Sequence, residues 1–445
     1  MIKSRSKPSL VPQHKTPHEG VGAGITIINA CPEPLPAGRR PRVGLALAGG
    51  GPLGAIYEIG ALAALSEALA GVDFNEADAY VGVSAGGFIA AGLANGFTPH
   101  QFSRVFIEGE KSFDRLDPAV LLRPALREFS RRLVSLPPLA ALAFWSYVTS
   151  GRHLMSSLER LGRAIPTGFF SGDEIDRYLT RIFSQPGRTN DFRKLERKLF
   201  LIGTDLDTGE SMAFGAPGTE HVPISRAVQA TAALPGLFPP VEIDGRFFVD
   251  GALVKTLHAS VALNEGLDLL ICLNPLVPFD ASPHLAHTRA SEHRLAKLVE
   301  GGLPVVLAQT FRSMIRSRLD AGMDRYRAAY PETDIVLIEP HRVDADMFFT
   351  NPFSYSSRRR LCELAYQRTR ADLWARRHEL APLLARHGIE IVPGVLRDQT
   401  MSLVKSLRRR RDGWRESAAT QATRRLTHTL DDLERWMRSV HAYAG

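Results

Sequence analysis

Cysteine is scarce in this chain: Cys31, Cys272 and Cys362 are the only three in 445 residues. An odd number so widely spaced builds neither a disulfide framework nor a metal-ligand cluster, which fits a reducing compartment. Long apolar runs are missing as well. The most apolar stretch, Leu133–Val148, is broken by Pro137 and Pro138, and it falls short of the about 20 apolar residues that a spanning helix requires. It reads as a buried core helix, a substrate-facing lid or an interfacial helix. The opening residues, MIKSRSKPSLVPQHKTPHEG, contain no apolar core of a secretory signal. These absences point to a cytoplasmic protein, with room for peripheral membrane association. No internal repeat is visible.

What is present is ordinary in bulk: 44% hydrophobic and 23% charged residues, the balance of a globular chain. The formal charge of +8 suits an anionic lipid surface, a nucleic acid, or simply an arginine-rich soluble exterior. Residues 1–40 are rich in Pro, Ser, His and Gly and read as a disordered tail, with one short extended piece at Ile25–Asn29. At Val43 the character changes. Val43–Ala48 is a buried-strand run, a glycine loop follows, and Ala55–Ala70 has helical spacing. A second unit repeats the rhythm, with strand Ala79–Val83, a turn, and helix Ala85–Asn95. Parallel strands joined by crossover helices are the consequence, hence an α/β layered fold. Residues from about 97 to 180 read as mostly helical. Strand-like runs return at Leu199–Thr204, Ser211–Phe214, Phe247–Val249 and Leu269–Leu273. Beyond Pro275 the chain reads as helical and rich in arginine, except for a strand at Ile335–Ile338; residues 357–388 suggest one or two charged helices.

Three short segments carry chemistry. Gly82–Gly86 (GVSAG) has the G-x-S-x-G form that lifts a serine hydroxyl clear of its backbone on a sharp strand-to-helix turn, with Ser84 at its centre. Gly49–Gly54 (GGGPLG) follows a strand and opens a helix. Its Gly49, Gly51 and Gly54 match the dinucleotide-binding G-x-G-x-x-G, with Asp73 about 20 residues on where a ribose-binding acid could stand. That reading leaves the other two segments unexplained, and no G-K-[ST] ending supports a P-loop. Asp250–Ala252 (DGA) ends a strand candidate and, alone, would be a hairpin turn. Acyl transfer uses all three, because a serine needs a base and its tetrahedral intermediate needs unobstructed backbone N–H donors at a helix entrance. The order Ser84, Asp250, His258 also satisfies an α/β-hydrolase triad on paper. Against that stand the single βα unit before the serine and the lack of an HGGG-type segment.

In this order the glycine loop, the serine elbow and the Asp-Gly resemble the patatin-like phospholipase family. Ser171–Ile175 (SGDEI), Thr204–Glu210 (TDLDTGE) and Ala230–Ala252 (ATAALPGLFPPVEIDGRFFVDGA) extend the resemblance across residues 43–275. The resemblance implies a three-layer α/β/α fold with a mostly parallel central sheet, followed by a mainly helical, arginine-rich region over residues 276–445. It implies a Ser–Asp dyad without histidine: Ser84 the nucleophile, Asp250 the general base, and the amides of Gly49, Gly50 and Gly51 the oxyanion hole. Gly54, Gly82, Gly86 and Gly251 would shape the motifs, and His258 would be structural. The activity implied is hydrolysis of carboxylic esters of lipids through an acyl-serine, with no metal or organic cofactor, on a lipid substrate at a membrane surface rather than on nucleic acid. A small-ester or thioester hydrolase on the same dyad, and a lipid-binding scaffold with a vestigial dyad, are the alternatives.

Two features depart from the family pattern. Leu53 stands where the loop usually has Lys or Arg, which removes a charge near the oxyanion and suits neutral or acyl-rich substrates. The region after the match is long. It holds the Arg408–Arg411 run and a terminal segment with Leu426, Leu430, Leu433, Met437 and Val440 at a/d-like spacing.

Overall fold

The computed structural model describes residues 24–31, 35, 39–108, 167–280, 298–349 and 354–408. The Leu133–Val148 stretch, the arginine run beyond Arg408, the Leu426–Val440 segment and the first 23 residues lie outside them.

Among the described residues, nine strands form the central sheet. In chain order the described strands are β1 (Ile25–Asn29), β2 (Val43–Leu47), β3 (Leu69–Ala70), β4 (Ala79–Val83), β5 (Lys198–Asp205), β6 (Ser211–Phe214), β7 (Val241–Ile243), β8 (Arg246–Asp250), β9 (Leu269–Leu273), β10 (Asp334–Ile338) and β11 (Glu390–Ile391). The sheet order is β1-β10-β9-β2-β4-β5-β8-β7, with β6 also on β5, while β3 and β11 pair separately. Strands β10, β9, β2, β4 and β5 run parallel, and β1, β6, β7 and β8 are antiparallel additions. The helices used below are α1 (Gly51–Ala68), α2 (Ala85–Ala94), α3 (Asp173–Phe183), α4 (Ile224–Thr231), α5 (Ala259–Leu263), α6 (Gly302–Ala329), α7 (Tyr355–Ala375) and α8 (Arg377–Ala385).

The period-2 pleat divides each inner strand between two cores. Leu45 and Leu47 of β2 join a cluster that includes α1, α2 and α7. Ala46 and the following Ala48 join the opposite cluster, with α5 and the C-terminal half of α6. The result is the three-layer α/β/α arrangement. Helix α1 is buried nearly all round, as its almost unbroken apolar sequence requires. It starts at Gly51, before the expected Ala55, because Pro52 fits the first helical turn, where its missing N–H costs nothing. One buried group in it is out of place: Glu58 is fully buried and neither carboxyl oxygen has a hydrogen-bond partner. Burial holds its pKa well above the usual carboxylate range and so favours the neutral acid, against a smaller pull from the Ala48 backbone.

The chain's two flanks enter the sheet. The extended piece at Ile25–Asn29 becomes β1 and pairs with β10, itself well beyond residue 275. Asp334, at the start of β10 and fully buried, ties the pieces together: it accepts from the Cys31 N–H at 2.6 Å and meets His387 Nε2 at 2.6 Å and Arg386 at 3.3 Å. A second tie joins α1 to α7, where the Tyr366 hydroxyl donates to Glu67 at 2.6 Å. The central sheet therefore draws on segments expected to be a tail and a separate helical region. An exposed β9 edge is what β10 and β1 remove.

Candidate active site

The sequence motifs converge at the C-terminal ends of the parallel strands, where open α/β sheets hold their ligands. Ser84 sits between β4 and α2 with φ of 52°. A non-glycine residue with positive φ is strained by about 1–3 kcal/mol and persists only where its surroundings enforce it. The enforcing contacts are visible. The Ser84 N–H donates to Thr231 Oγ1 at 2.9 Å, and the Thr231 hydroxyl in turn donates to the Ile202 carbonyl on β5. On the helical side the Ser84 carbonyl accepts from Gly87 and Phe88 at 3.0 and 3.2 Å. A Cβ on Gly82, next to the end of β4, would lie 2.5 Å from Gly87 Cα, and one on Gly86 would lie 2.4 Å from the Leu47 carbonyl oxygen, so only glycine fits at either position.

Asp250 ends β8 opposite Gly203 of β5. Because β5 neighbours β4, this register delivers the carboxyl to the serine elbow. Its backbone N–H donates to the Ala233 carbonyl at 3.0 Å, and its Oδ1 accepts from the Ala252 N–H at 2.9 Å. The Thr204 hydroxyl donates to its carbonyl at 3.3 Å. Asp250 is 2% exposed. Burial raises its pKa to about 6, with the hydrogen bonds from Ser84 and the Ala252 amide opposing the shift. A carboxylate poised there is a far better base near neutrality than one at the ordinary value. Gly251 allows the tight exit, since a Cβ on it would stand 2.3 Å from the Ile202 carbonyl oxygen.

The glycine loop lies across from both. A Cβ on Gly49 would be 3.1 Å from the Ser84 Cβ, Gly50 caps α1, and Gly51 has φ of 58° with open space on its side-chain face. Among the described residues no acceptor takes the amide protons of Gly49, Gly50 or Gly51. Gly50 and Gly54 pack against Pro275, which follows β9. Leu53 is half-buried against the α1 core. His258, left-handed at φ of 45°, places Nε2 3.3 Å from the Gly251 carbonyl, and burial drops its pKa to about 4. It props the backbone beneath Asp250 as a neutral ring. Among the described residues, no group of His, Cys, Asp or Glu is placed to hold a metal ion.

Thr231 carries no signal of its own in the sequence, although it lies within the Ala230–Ala252 stretch. Its role rests on a contact across 147 positions that no local pattern reveals. Thr231→Val should leave the Ser84 N–H and the Ile202 carbonyl short of a partner. We expect a loss of about 1–3 kcal/mol in denaturant-derived stability, with Thr231→Ser close to wild type.

Residues 45–263 match the family model described as Patatin-like phospholipase. Similar curated proteins include an uncharacterised NTE family protein of Mycobacterium tuberculosis, 26% identical over 144 residues; the match takes in 31% of this chain and 23% of that protein. An uncharacterised protein of Acanthamoeba polyphaga mimivirus is 23% identical over 231 residues, covering 51% of this chain and 63% of the relative. Among solved structures, VipD from Legionella pneumophila aligns with 84% of this chain and 72% of its own at 16% identity and a TM-score of 0.34. ExoU of the Pseudomonas aeruginosa type III secretion system, solved in complex with SpcU, aligns with 67% of this chain and 54% of its own at 17% identity and a TM-score of 0.26.

Proposed function

We propose, on the match of residues 45–263 to the patatin-like phospholipase model, that the protein is a serine lipid acyl hydrolase that cleaves carboxylic esters of phospholipids or related lipids through an acyl-Ser84 intermediate. The observation that carries this reading is the buried Asp250 carboxyl, delivered by β8 to the Ser84 elbow with its pKa raised to about 6, set against the unengaged Gly49–Gly51 amides. In the first half-reaction Asp250 accepts the Ser84 Oγ proton as the oxygen attacks the ester carbonyl. The tetrahedral oxyanion is held by amides of the glycine loop, each donor being worth about 2.7–4 kcal/mol at such a site. Collapse returns the proton from Asp250 to the departing alcohol and leaves the acyl-serine. In the second half-reaction a water gives its proton to Asp250 and attacks the acyl carbon. The Ser84 oxygen then leaves, recovers a proton from Asp250, and releases the fatty acid. Every proton passes through one carboxyl group, so neither metal nor organic cofactor is needed.

Leu53 supports a neutral, acyl-rich substrate, because its half-buried side chain offers no charge to a headgroup phosphate. A fluorophosphonate probe tests the assignment. Mass spectrometry of the treated protein should find a single adduct, on the peptide containing Ser84, and the untreated protein should release fatty acid from phosphatidylcholine. An adduct elsewhere, or no fatty acid from any ester tried, would overturn the reading.

A further inference from the structure

Helix α6 has two unlike halves. Its C-terminal half packs on the sheet through Ile315, Leu319 and Met323, all buried. Its N-terminal half, with the short turn before it, carries Val299, Leu303, Val306, Leu307 and Met314 at 67, 69, 38, 58 and 49% exposure. Leu303, Val306, Leu307 and Met314 fall at helical spacings of three, four and seven residues and share one stripe, opposite the packed face, with Val299 in the turn that leads into it.

The helix runs against the parallel strands. Arg327 donates to the Ile28 carbonyl near the start of β10 at 2.8 Å, whereas Arg316 pairs with Glu339 just past the end of β10 at 2.6 Å. The fourteen residues before Arg316 therefore stand beyond the C-terminal edge of the sheet, on the Ser84 side, by about 20 Å at about 1.5 Å per residue. Just after this part, Arg318 ties the helix to the site, donating to the Leu253 carbonyl three residues after Asp250 at 2.8 Å. Leu206, Leu237 and Phe247 are exposed around the same edge.

We propose that residues 299–314 form the surface on which the protein settles onto an anionic lipid bilayer, with the five apolar side chains entering the acyl layer and the mouth above Ser84 turned toward the headgroups. The inference rests on the lipid-hydrolase reading for its choice of partner. Charge selects the bilayer over a second copy of the chain: the protein carries a net +8, and the exposed Arg318 lies beside the stripe, where it would meet lipid phosphates but repel its counterpart in a like-facing dimer. An exposed apolar helix face with a basic border is the usual build of an interfacial segment.

The test uses full-length protein carrying Ser84→Ala, so that vesicles are not consumed, with and without Leu303→Glu and Leu307→Glu. Sedimentation with phosphatidylcholine–phosphatidylglycerol vesicles should show binding weakened at least tenfold by the two glutamates. In the Ser84 background the same pair should change hydrolysis of a water-soluble butyrate ester by less than twofold, which shows that the fold is intact. Vesicle binding within twofold of the parent would overturn the proposal. So would a parent that sediments as a dimer and is split by the glutamates, since the stripe would then face another copy. Failure of the hydrolase reading is seen separately, as a wild type that binds vesicles yet cleaves no ester.

Discussion

Ser84→Ala should abolish fluorophosphonate labelling and lower ester hydrolysis by roughly 10⁴-fold or more, since losing the nucleophile of a serine hydrolase costs nearly all of the catalytic advantage. The substitution removes one oxygen and little else. Alanine keeps the Cβ, so the φ of 52° remains strained, and the backbone bonds to Thr231, Gly87 and Phe88 remain available. Thermal stability should therefore stay close to wild type while turnover disappears. Residual hydrolysis within tenfold of wild type would show that another group attacks the ester.

Asp250→Asn should cost about 10²–10⁴-fold in kcat, the usual contribution of a positioned base, and it should remove a pH step. In the wild type kcat/KM should rise with pH through about 6, because only the deprotonated carboxyl accepts the Ser84 proton. The asparagine variant should show a flat profile over that range. Stability should move the other way. The folded-state pKa lies above the unfolded one, so the carboxyl's contribution is fully present below about pH 4 and is lost as pH rises through about 6. A shift of roughly two units corresponds to about 3 kcal/mol. Asparagine keeps an acceptor for the Ala252 amide without the buried charge, so the variant should melt above the wild type at pH 7 and near it at pH 4. A profile unchanged by the substitution would remove Asp250 as the base.

Much of this was legible because the relevant signals are local. The strand at Ala79–Val83 and the helix after it coincide with β4 and α2, and the Leu269–Leu273 run is β9; each is an apolar stretch bounded by its own turn chemistry. The order of the three motifs, with the family resemblance it carries, points to Gly49, Ser84 and Asp250, and the β2–β4–β5–β8 neighbourhood supplies the reason they meet. What stayed hidden depends on distance along the chain. That Ile25–Asn29 would pair with β10 is decided by the buried Asp334 knot and the register of Ile25 on Ile338. Thr231 reads as an ordinary threonine until its hydroxyl is found bridging two strand ends. The exposed stripe on α6 is not legible in the sequence, because an apolar run does not say which side is covered.

The placement of β10 has a consequence for how the protein is made. On the ribosome, β9 emerges with its neighbour β2 already available on one side and nothing on the other. Its second partner begins only at Asp334, roughly 60 residues later, which is about 3–12 s of synthesis at common elongation speeds. For that interval a five-residue strand of LLICL shows open hydrogen-bonding groups to every other nascent chain nearby. Yield in a heterologous host should thus be governed by translation speed and holdase supply over this window, more than by the stability of the finished molecule.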